Sequence, residues 1–284
     1  MKIAIASGKG GTGKTTMALA LASVAGTNTL LVDCDVEAPN CHLFGKKEGE
    51  REAVFISMPF FEKSLCTGCK ACSKMCQFNA IAVLGKSVLL FPELCHGCGG
   101  CVRVCPTGAL TEIPRKIGEA GVTKYEDFVL IDGCLTIGQA LSPPLIRSVK
   151  NRIDDYKAGT AIIDSPPGTS CPMVVSVRGA DFVLLVTEPT PFGLHDLTLA
   201  VNTLKELDLP CGVIINRADS GNDQVKEFCK KENIPVMLEI PNRRDVAEAY
   251  SRGETLLQAA PELRPKFKEL LKEVENRVGK EVKK

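Results

Sequence analysis

The sequence predicts an α/β chain, a mostly parallel sheet flanked by helices, interrupted by a small cysteine-rich α+β unit. Three observations predict it. Short aliphatic and β-branched runs such as KIAIAS, NTLLVD and TAIID alternate with stretches whose apolar residues recur at helical spacing. A glycine-rich loop, SGKGGTGKTT from Ser7 to Thr16, stands between the first such run and the first helical stretch. Two copies of one cysteine pattern lie together before the chain's midpoint, where the alternation stops.

With 284 residues, 44% of them apolar, the chain can bury a full core. Its net charge of +1 gives no electrostatic footprint for nucleic acid, so none is expected as a partner. MKIAIASGKG holds too short an apolar run for a secretory signal, and the uncharged run from Thr15 to Val32 is split by GTNT. The reading is a cytoplasmic protein without a membrane span. Fourteen cysteines in that compartment point to metal or redox chemistry over disulfides.

The first element, KIAIAS, reads as a strand and KTTMALALASVA as a helix. Between them, Gly8, Gly10, Gly11, Thr12 and Gly13 offer backbone N–H groups to an anion at a helix N-terminus, with Thr16 following. Lys14 is placed to reach the β- and γ-phosphates, and Thr15 to bind Mg²⁺. Lys9 exceeds what such a loop needs. KGGTGKTT resembles the deviant phosphate loop of the MinD/ParA/Mrp and nitrogenase iron-protein class of P-loop ATPases. The resemblance implies that Lys9 reaches across a dimer to the partner's nucleotide.

Later elements extend the resemblance. NTLLVDCDVEAPN is a strand ending in acids; Asp35 matches the switch I aspartate near the attacking water, while Asp33 caps the strand or supports Mg²⁺. TAIIDSPPGTS resembles switch II, with Asp164 in the Mg²⁺ shell and the Gly168 N–H near the γ-phosphate. DFVLLVTEPT, CGVIINRAD and IPVMLEIP supply further buried strands. Asn216 matches the asparagine that contacts adenine, Arg217 follows it, and the loop at Pro241 lies on the other side of the base. NRAD also resembles a guanine-reading pattern through Asp219; the rest of the chain favours ATP.

The cysteine-rich unit spans 58–114, leaving 1–57 and 115–284 to the ATPase domain. Cys66, Cys69, Cys72 and Cys76 form one C-x2-C-x2-C-x3-C pattern, and Cys95, Cys98, Cys101 and Cys105 repeat it 29 residues on. The pattern resembles a bacterial two-cluster ferredoxin. That implies one [4Fe–4S] cluster on Cys66, Cys69, Cys72 and Cys105, and a second on Cys95, Cys98, Cys101 and Cys76. Gln77 stands where a proline usually follows the fourth cysteine. Paired zinc sites fit less well, since they use two pairs with a long spacer. His96 reads as a solvated loop residue. So small a unit has little apolar core, and the clusters are expected to hold it together.

Taken whole, the chain resembles MinD-superfamily ATPases that carry an inserted ferredoxin domain. The resemblance implies ATP, Mg²⁺ and two [4Fe–4S] clusters as cofactors, a dimer with itself or a paralogous ATPase, and a redox or small metal-binding protein as partner. Three functions compete: an ATP-gated electron relay, a cluster assembly or carrier ATPase of the Mrp type, and a positioning ATPase with a ferredoxin sensor. Cys171 stands seven residues after Asp164, the spacing of a cluster-binding cysteine in the nitrogenase iron protein, and Cys134, 30 before it, lies close to where that family places its other ligand, which implies a site between subunits. Cys34, Cys41, Cys211 and Cys229 read as structural. Near the C-terminus, Phe267, Leu270, Leu271, Val274 and Val278 share one helical face, expected to dock on the domain rather than on a membrane.

Overall fold

The computed structural model describes residues 1–45 and 49–281; Val282 to Lys284, the end of the basic C-terminal stretch, lie outside the described residues. The first half of the chain runs β1 (Lys2–Ala6), α1 (Lys14–Ala25), β2 (Thr29–Asp33), β3 (Glu50–Phe61), α2 (Ala71–Met75), β4 (Ile81–Leu84), β5 (Ser87–Leu90), α3 (Gly100–Arg103), β6 (Leu110–Lys124) and β7 (Val129–Leu135). Then follow α4 (Pro143–Asn151), β8 (Thr160–Asp164), α5 (Cys171–Val177), β9 (Phe182–Thr187), α6 (Pro191–Glu206), β10 (Cys211–Asn216) and α7 (Gln224–Lys231). The last elements are β11 (Val236–Ile240), α8 (Arg244–Ser251), α9 (Leu256–Ala259) and α10 (Arg264–Glu281).

The main sheet has nine strands in the order β11-β10-β9-β1-β8-β2-β7-β6-β3. Every pairing from β11 to β7 is parallel. Central strands are apolar throughout because helices cover both faces. The period-two pleat divides them: Ala4, Ala6, Ile163, Val183 and Leu185 enter one core, while Ile3, Ile5, Ile162 and Leu184 enter the other.

The second core includes the apolar face of α10. Phe267 and Val274 are fully buried there with Leu270, packed with Ala18, Leu21 and Ala22 of α1. That face is therefore spent on the domain. Among the described residues no helix is long and apolar enough to cross a membrane.

β3 and β6 form a long antiparallel ribbon, paired from Glu50↔Val122 to Phe61↔Leu110. Only the Gly118–Lys124 part of β6 pairs with β7, antiparallel, with Gly118 opposite Leu135. Since β7 runs parallel to its other neighbour, the part of the ribbon before Gly118 projects past the carboxyl edge of the sheet. The cysteine-bearing segment hangs from that projection, with β4 and β5 forming a separate two-stranded sheet. Met58 and Pro114 are register neighbours inside the ribbon, opposite Ile113 and Ser57, so the chain leaves the ladder later than the change in composition suggests.

Phe267→Ala is expected to destabilise the protein by about 3–5 kcal/mol, since a fully buried aromatic leaves a cavity between α10 and α1. Thermal unfolding of the purified variant measures it; a loss under 1 kcal/mol would contradict the docked helix.

Candidate nucleotide site and paired cysteine cavities

β1 ends at the middle of the sheet, and its loop turns directly into α1. Gly11 and Gly13 adopt φ of 78° and 96°, a left-handed backbone that favours glycine. The loop borders a cavity of about 360 Å³, lined by Gly10, Gly11, Gly13, Lys14, Thr15 and Thr16. Asp35, Asn216, Arg217 and Pro241 line it from the other strand ends. Chain segments far apart in sequence thus meet at one carboxyl edge, where open α/β sheets bind ligands.

Not every predicted residue faces the cavity. Gly8 is needed for contact with α6, since a Cβ there would lie 2.1 Å from the Asp196 carbonyl oxygen. Thr12 is buried, with its hydroxyl unpartnered. A Cβ on Gly13 would meet Asn216 Nδ2 at 2.7 Å, and that nitrogen donates to the Thr12 carbonyl at 2.9 Å. Asn216 therefore braces the loop as well as lining the cavity. The Gly168 N–H donates to the Ser7 carbonyl at 3.0 Å. Asp219 accepts the Asn242 N–H at 2.6 Å and ties two loops together. Lys9 folds back on its own subunit: its Nζ lies 3.4 Å from Glu188 Oε2, while Arg217 pairs with Glu188 Oε1 at 2.9 Å.

The repeated cysteines surround two cavities. Cys66, Cys69, Cys72 and Cys105 line one; Cys76, Cys95, Cys98 and Cys101 line the other. Each cavity draws three thiols from one repeat and the fourth from the other. Left-handed Gly68, Lys70, Gly97 and Gly99 bend the loops inward. The Gly68 N–H donates to Cys66 Sγ at 3.4 Å, and the Ala80 N–H to Cys76 Sγ at 3.3 Å. Burial pushes the Cys101 thiol up to about 11; Cys105 sits below its ordinary value, because Thr107 and Leu110 amides outweigh its burial. Among the described residues, no three of these thiols lie within 4.8 Å of one another. Four thiols around each cavity, with backbone amides donating to sulfur, fit a metal group held by four thiolates.

His96, expected as a solvated loop residue, is half-buried instead and stacked on Phe78 with ring centroids 3.7 Å apart. Its pairing partner lies outside its own repeat, which spacing alone does not disclose. Cys134 on β7 and Cys171 at the start of α5 are exposed and border neither cavity.

Residues 3–256 match the CobQ/CobB/MinD/ParA nucleotide binding domain. The chain belongs to that family. The uncharacterized protein MJ0578 of Methanocaldococcus jannaschii is 34% identical over 247 residues, 85% of this chain and 86% of that one. An iron-sulfur cluster carrier protein of Pyrococcus horikoshii is 24% identical over 310 residues, covering 99% of this chain and 90% of its own. Among solved structures, the septum site-determining protein MinD of Pyrococcus horikoshii, complexed with Mg-ADP, aligns with a TM-score of 0.59 at 20% identity, over 98% of this chain and 97% of that one. The MinD/ParA fold thus extends along nearly the whole chain.

Behind the cavity, and not among the residues that line it, lies a fully buried carboxylate pair. Asp33 and Asp164 are register neighbours on adjacent strands. Burial, then the charge of Asp33, pushes Asp164 up to about 8; burial pushes Asp33 to about 6 against three backbone N–H donors, from Asp35, Asn40 and Cys41. Asp33 is thus the anchor of the 35–41 loop. Thr15 donates its hydroxyl to Asp164 Oδ2 at 2.6 Å, while Asp164 Oδ1 is buried without a partner. An orphaned carboxylate oxygen beside a threonine hydroxyl fits a hard divalent cation such as Mg²⁺. Burial also lowers Lys14, against the pull of Asp164 and Asp35. Sequence reading missed Cys41, which lies within 4.8 Å of both carboxylates and whose thiol donates to Asp164 at 3.7 Å. No spacing pattern marks it.

The raised Asp164 gives a pH signature. Between its ordinary value of 3.8 and about 8 the folded state holds a proton that the unfolded state has lost, so this group's contribution to stability falls as pH rises through that window. Asp164→Asn is expected to stabilise the nucleotide-free protein at pH 8 by on the order of 1 kcal/mol or more. The gain shrinks toward pH 4. Denaturant titrations at both pH values measure it, and a pH-independent effect would contradict the buried ionisation.

Proposed function

We propose that this protein is an ATP-hydrolysing iron-sulfur ATPase in which nucleotide-dependent pairing of subunits is coupled to electron transfer through two [4Fe–4S] clusters. The observation that carries the reading is the placement of two four-thiol cavities on a ribbon that projects from the same sheet edge as the phosphate loop. The clusters supply one-electron redox chemistry when bound; Cys66, Cys69, Cys72 and Cys105 hold one, and Cys76, Cys95, Cys98 and Cys101 the other. Lys14 neutralises the nucleotide's terminal phosphates. Thr15 and Asp164 hold Mg²⁺, and Asp35 orients the attacking water.

Lys9 supplies the dependence on a second subunit. To reach across a dimer it must leave Glu188, and Arg217 remains to pair with that buried carboxylate, so the departure strands no charge. A backbone path links the switch I loop to the ribbon: the Leu135 N–H donates to the Val36 carbonyl, and the Thr136 N–H to the Ile117 carbonyl. Two residues before Ile117, Arg115 bonds both the Pro92 carbonyl and Gln139, and the Cys95 N–H donates to that same Pro92 carbonyl. ATP is the favoured nucleotide because the rest of the chain resembles the MinD class; Asp219 accepts the Asn242 N–H as an exposed loop acid.

The similarity to iron-sulfur cluster carrier proteins supports a second reading, in which clusters are handed on. A carrier yields its cluster to an apo-acceptor within minutes; a relay retains it. Cys134 and Cys171 are also proposed to join their symmetry mates around a further cluster between subunits. More than eight irons per chain in the loaded dimer would support that, and eight alone would refute it.

Anaerobic redox titration followed by EPR, without nucleotide, with Mg-ADP and with Mg-ATP, tests the coupling. A nucleotide-dependent potential or spectrum is expected; identical traces in all three states would overturn the relay. Lys14→Ala is expected to weaken nucleotide binding roughly 10- to 100-fold, the worth of one charge-assisted phosphate contact. Lys9→Ala is expected to keep binding but lose at least about tenfold in turnover. Wild-type turnover in Lys9→Ala would contradict the cross-subunit role.

A further inference from the structure

The two cysteine cavities are not equivalent with respect to the ATPase core. The cavity of Cys76, Cys95, Cys98 and Cys101 is also lined by Ser57, Pro59 and Glu112, residues in mid-ribbon. Its loop packs inward, since a Cβ on Gly97 would meet the Ser57 carbonyl and Ile56 at about 3 Å. The cavity of Cys66, Cys69, Cys72 and Cys105 is lined instead by Phe61 and Leu110, the last pair of the ribbon. Two to four residues of strand separate the two levels, roughly 7–14 Å. One cavity is proximal to the nucleotide side, the other distal at the tip.

The tip carries an excess of basic residues. From Glu62 to Phe91 the chain holds four lysines and one carboxylate. Lys63 lies in the turn whose carbonyl accepts the Cys66 N–H, and Lys70 lines the distal cavity itself. Lys86 sits in the β4–β5 turn that packs on Gly68 of the distal loop. All three are exposed, and among the described residues none pairs with a carboxylate. The carboxylate of Glu112 lies at the proximal cavity, and Glu93 in the turn before Cys95. Leu65 and Leu84, 49% and 65% exposed, stand beside Lys63 and Lys86. An apolar spot within unpaired cations, over a redox-capable centre, has the make-up of a transient docking face. Four lysines fall short of the roughly six to ten phosphate contacts that give nucleic-acid binding its strength.

We propose that the tip around Lys63, Lys70 and Lys86 is the docking surface for a small electron-carrier protein whose cofactor edge is ringed by carboxylates, delivering electrons to the distal centre. The proposal rests on the cluster-bearing reading above. One electron leaves the carrier's reduced cofactor and enters the centre held by Cys66, Cys69, Cys72 and Cys105; no bond is made or broken and no proton moves. Electrons therefore enter at the tip and pass inward toward the nucleotide side.

The test uses the full-length, cluster-reconstituted protein and a reduced plant-type [2Fe–2S] ferredoxin with an acidic surface. Its comparison is the same ferredoxin with its surface carboxylates amidated. Stopped-flow reduction at low ionic strength is expected to be at least tenfold faster with the acidic carrier, and the two rates to converge at high salt. K63E/K86E, which leaves the cavity-lining Lys70 in place, is expected to remove most of that advantage while leaving iron content, EPR spectra and reduction by photoreduced 5-deazaflavin unchanged. Equal rates for both carriers with fully loaded protein would overturn the docking surface alone. So would binding of the same face to RNA or anionic vesicles with carrier rates unaltered by the double variant. Failure of the reconstituted protein to hold iron would overturn the cluster reading beneath it as well.

Discussion

The structure depends on two carboxylates buried side by side at the ends of neighbouring strands. Asp33 and Asp164 have no solvent to share their charge; burial raises the cost of ionising both, and the charge of Asp33 adds to that of Asp164. What offsets that cost also organises the site. Three backbone N–H groups from residues 35–41 converge on Asp33, and the first helix turns its Thr15 hydroxyl onto Asp164. Phosphate loop, switch I loop and the strand before switch II are thereby fixed around one point. One Asp164 oxygen remains buried without a partner, which fits a hard divalent cation.

Strand order then decides what else stands near that point. β2, which carries Asp33, pairs with β7, and β7 pairs with the ribbon that carries the cysteine repeats. Because the ribbon is antiparallel to β7, its free end leaves the sheet on the nucleotide side; a parallel ribbon entering at that register would leave on the opposite side. The loop after β2 and the ribbon are consequently joined through backbone hydrogen bonds of Leu135 to Val36 and of Thr136 to Ile117. Backbone bonds between strands transmit displacement with little slack, which suits a coupling between nucleotide state and the cysteine-bearing unit. The two cavities stand at successive levels along that ribbon.

Much of this was legible from residue order alone. The phosphate loop is a local motif, so its strand, turn and helix follow from adjacent residues, and the apolar central strands read clearly because both faces are buried. The α10 face was equally plain from its periodicity. Long-range contacts were harder to read. Lys9 resting on Glu188, Asn216 bracing Thr12, and Gly8 yielding to α6 each join segments about 180 to 200 residues apart. Cys41 looked structural by spacing, yet folding brings it against both carboxylates, because the Asp33 hydrogen bonds draw its loop back over the strand end. His96 likewise gained its stacking partner from the other repeat.

The sequence by itself determined the chemistry available: a phosphate loop with a second lysine, acidic strand ends and a doubled cysteine pattern, each carried within a short span whose local backbone fixes its shape. Only the tertiary structure decided how these parts face one another. The antiparallel step at β6 sends the cysteine-bearing unit to the nucleotide edge, the ribbon register ranks one cavity nearer the core than the other, and Glu188 holds Lys9 within its own chain. Those outcomes depend on strand pairing and on contacts between distant segments, which balance over the whole fold and leave no periodic trace in the chain.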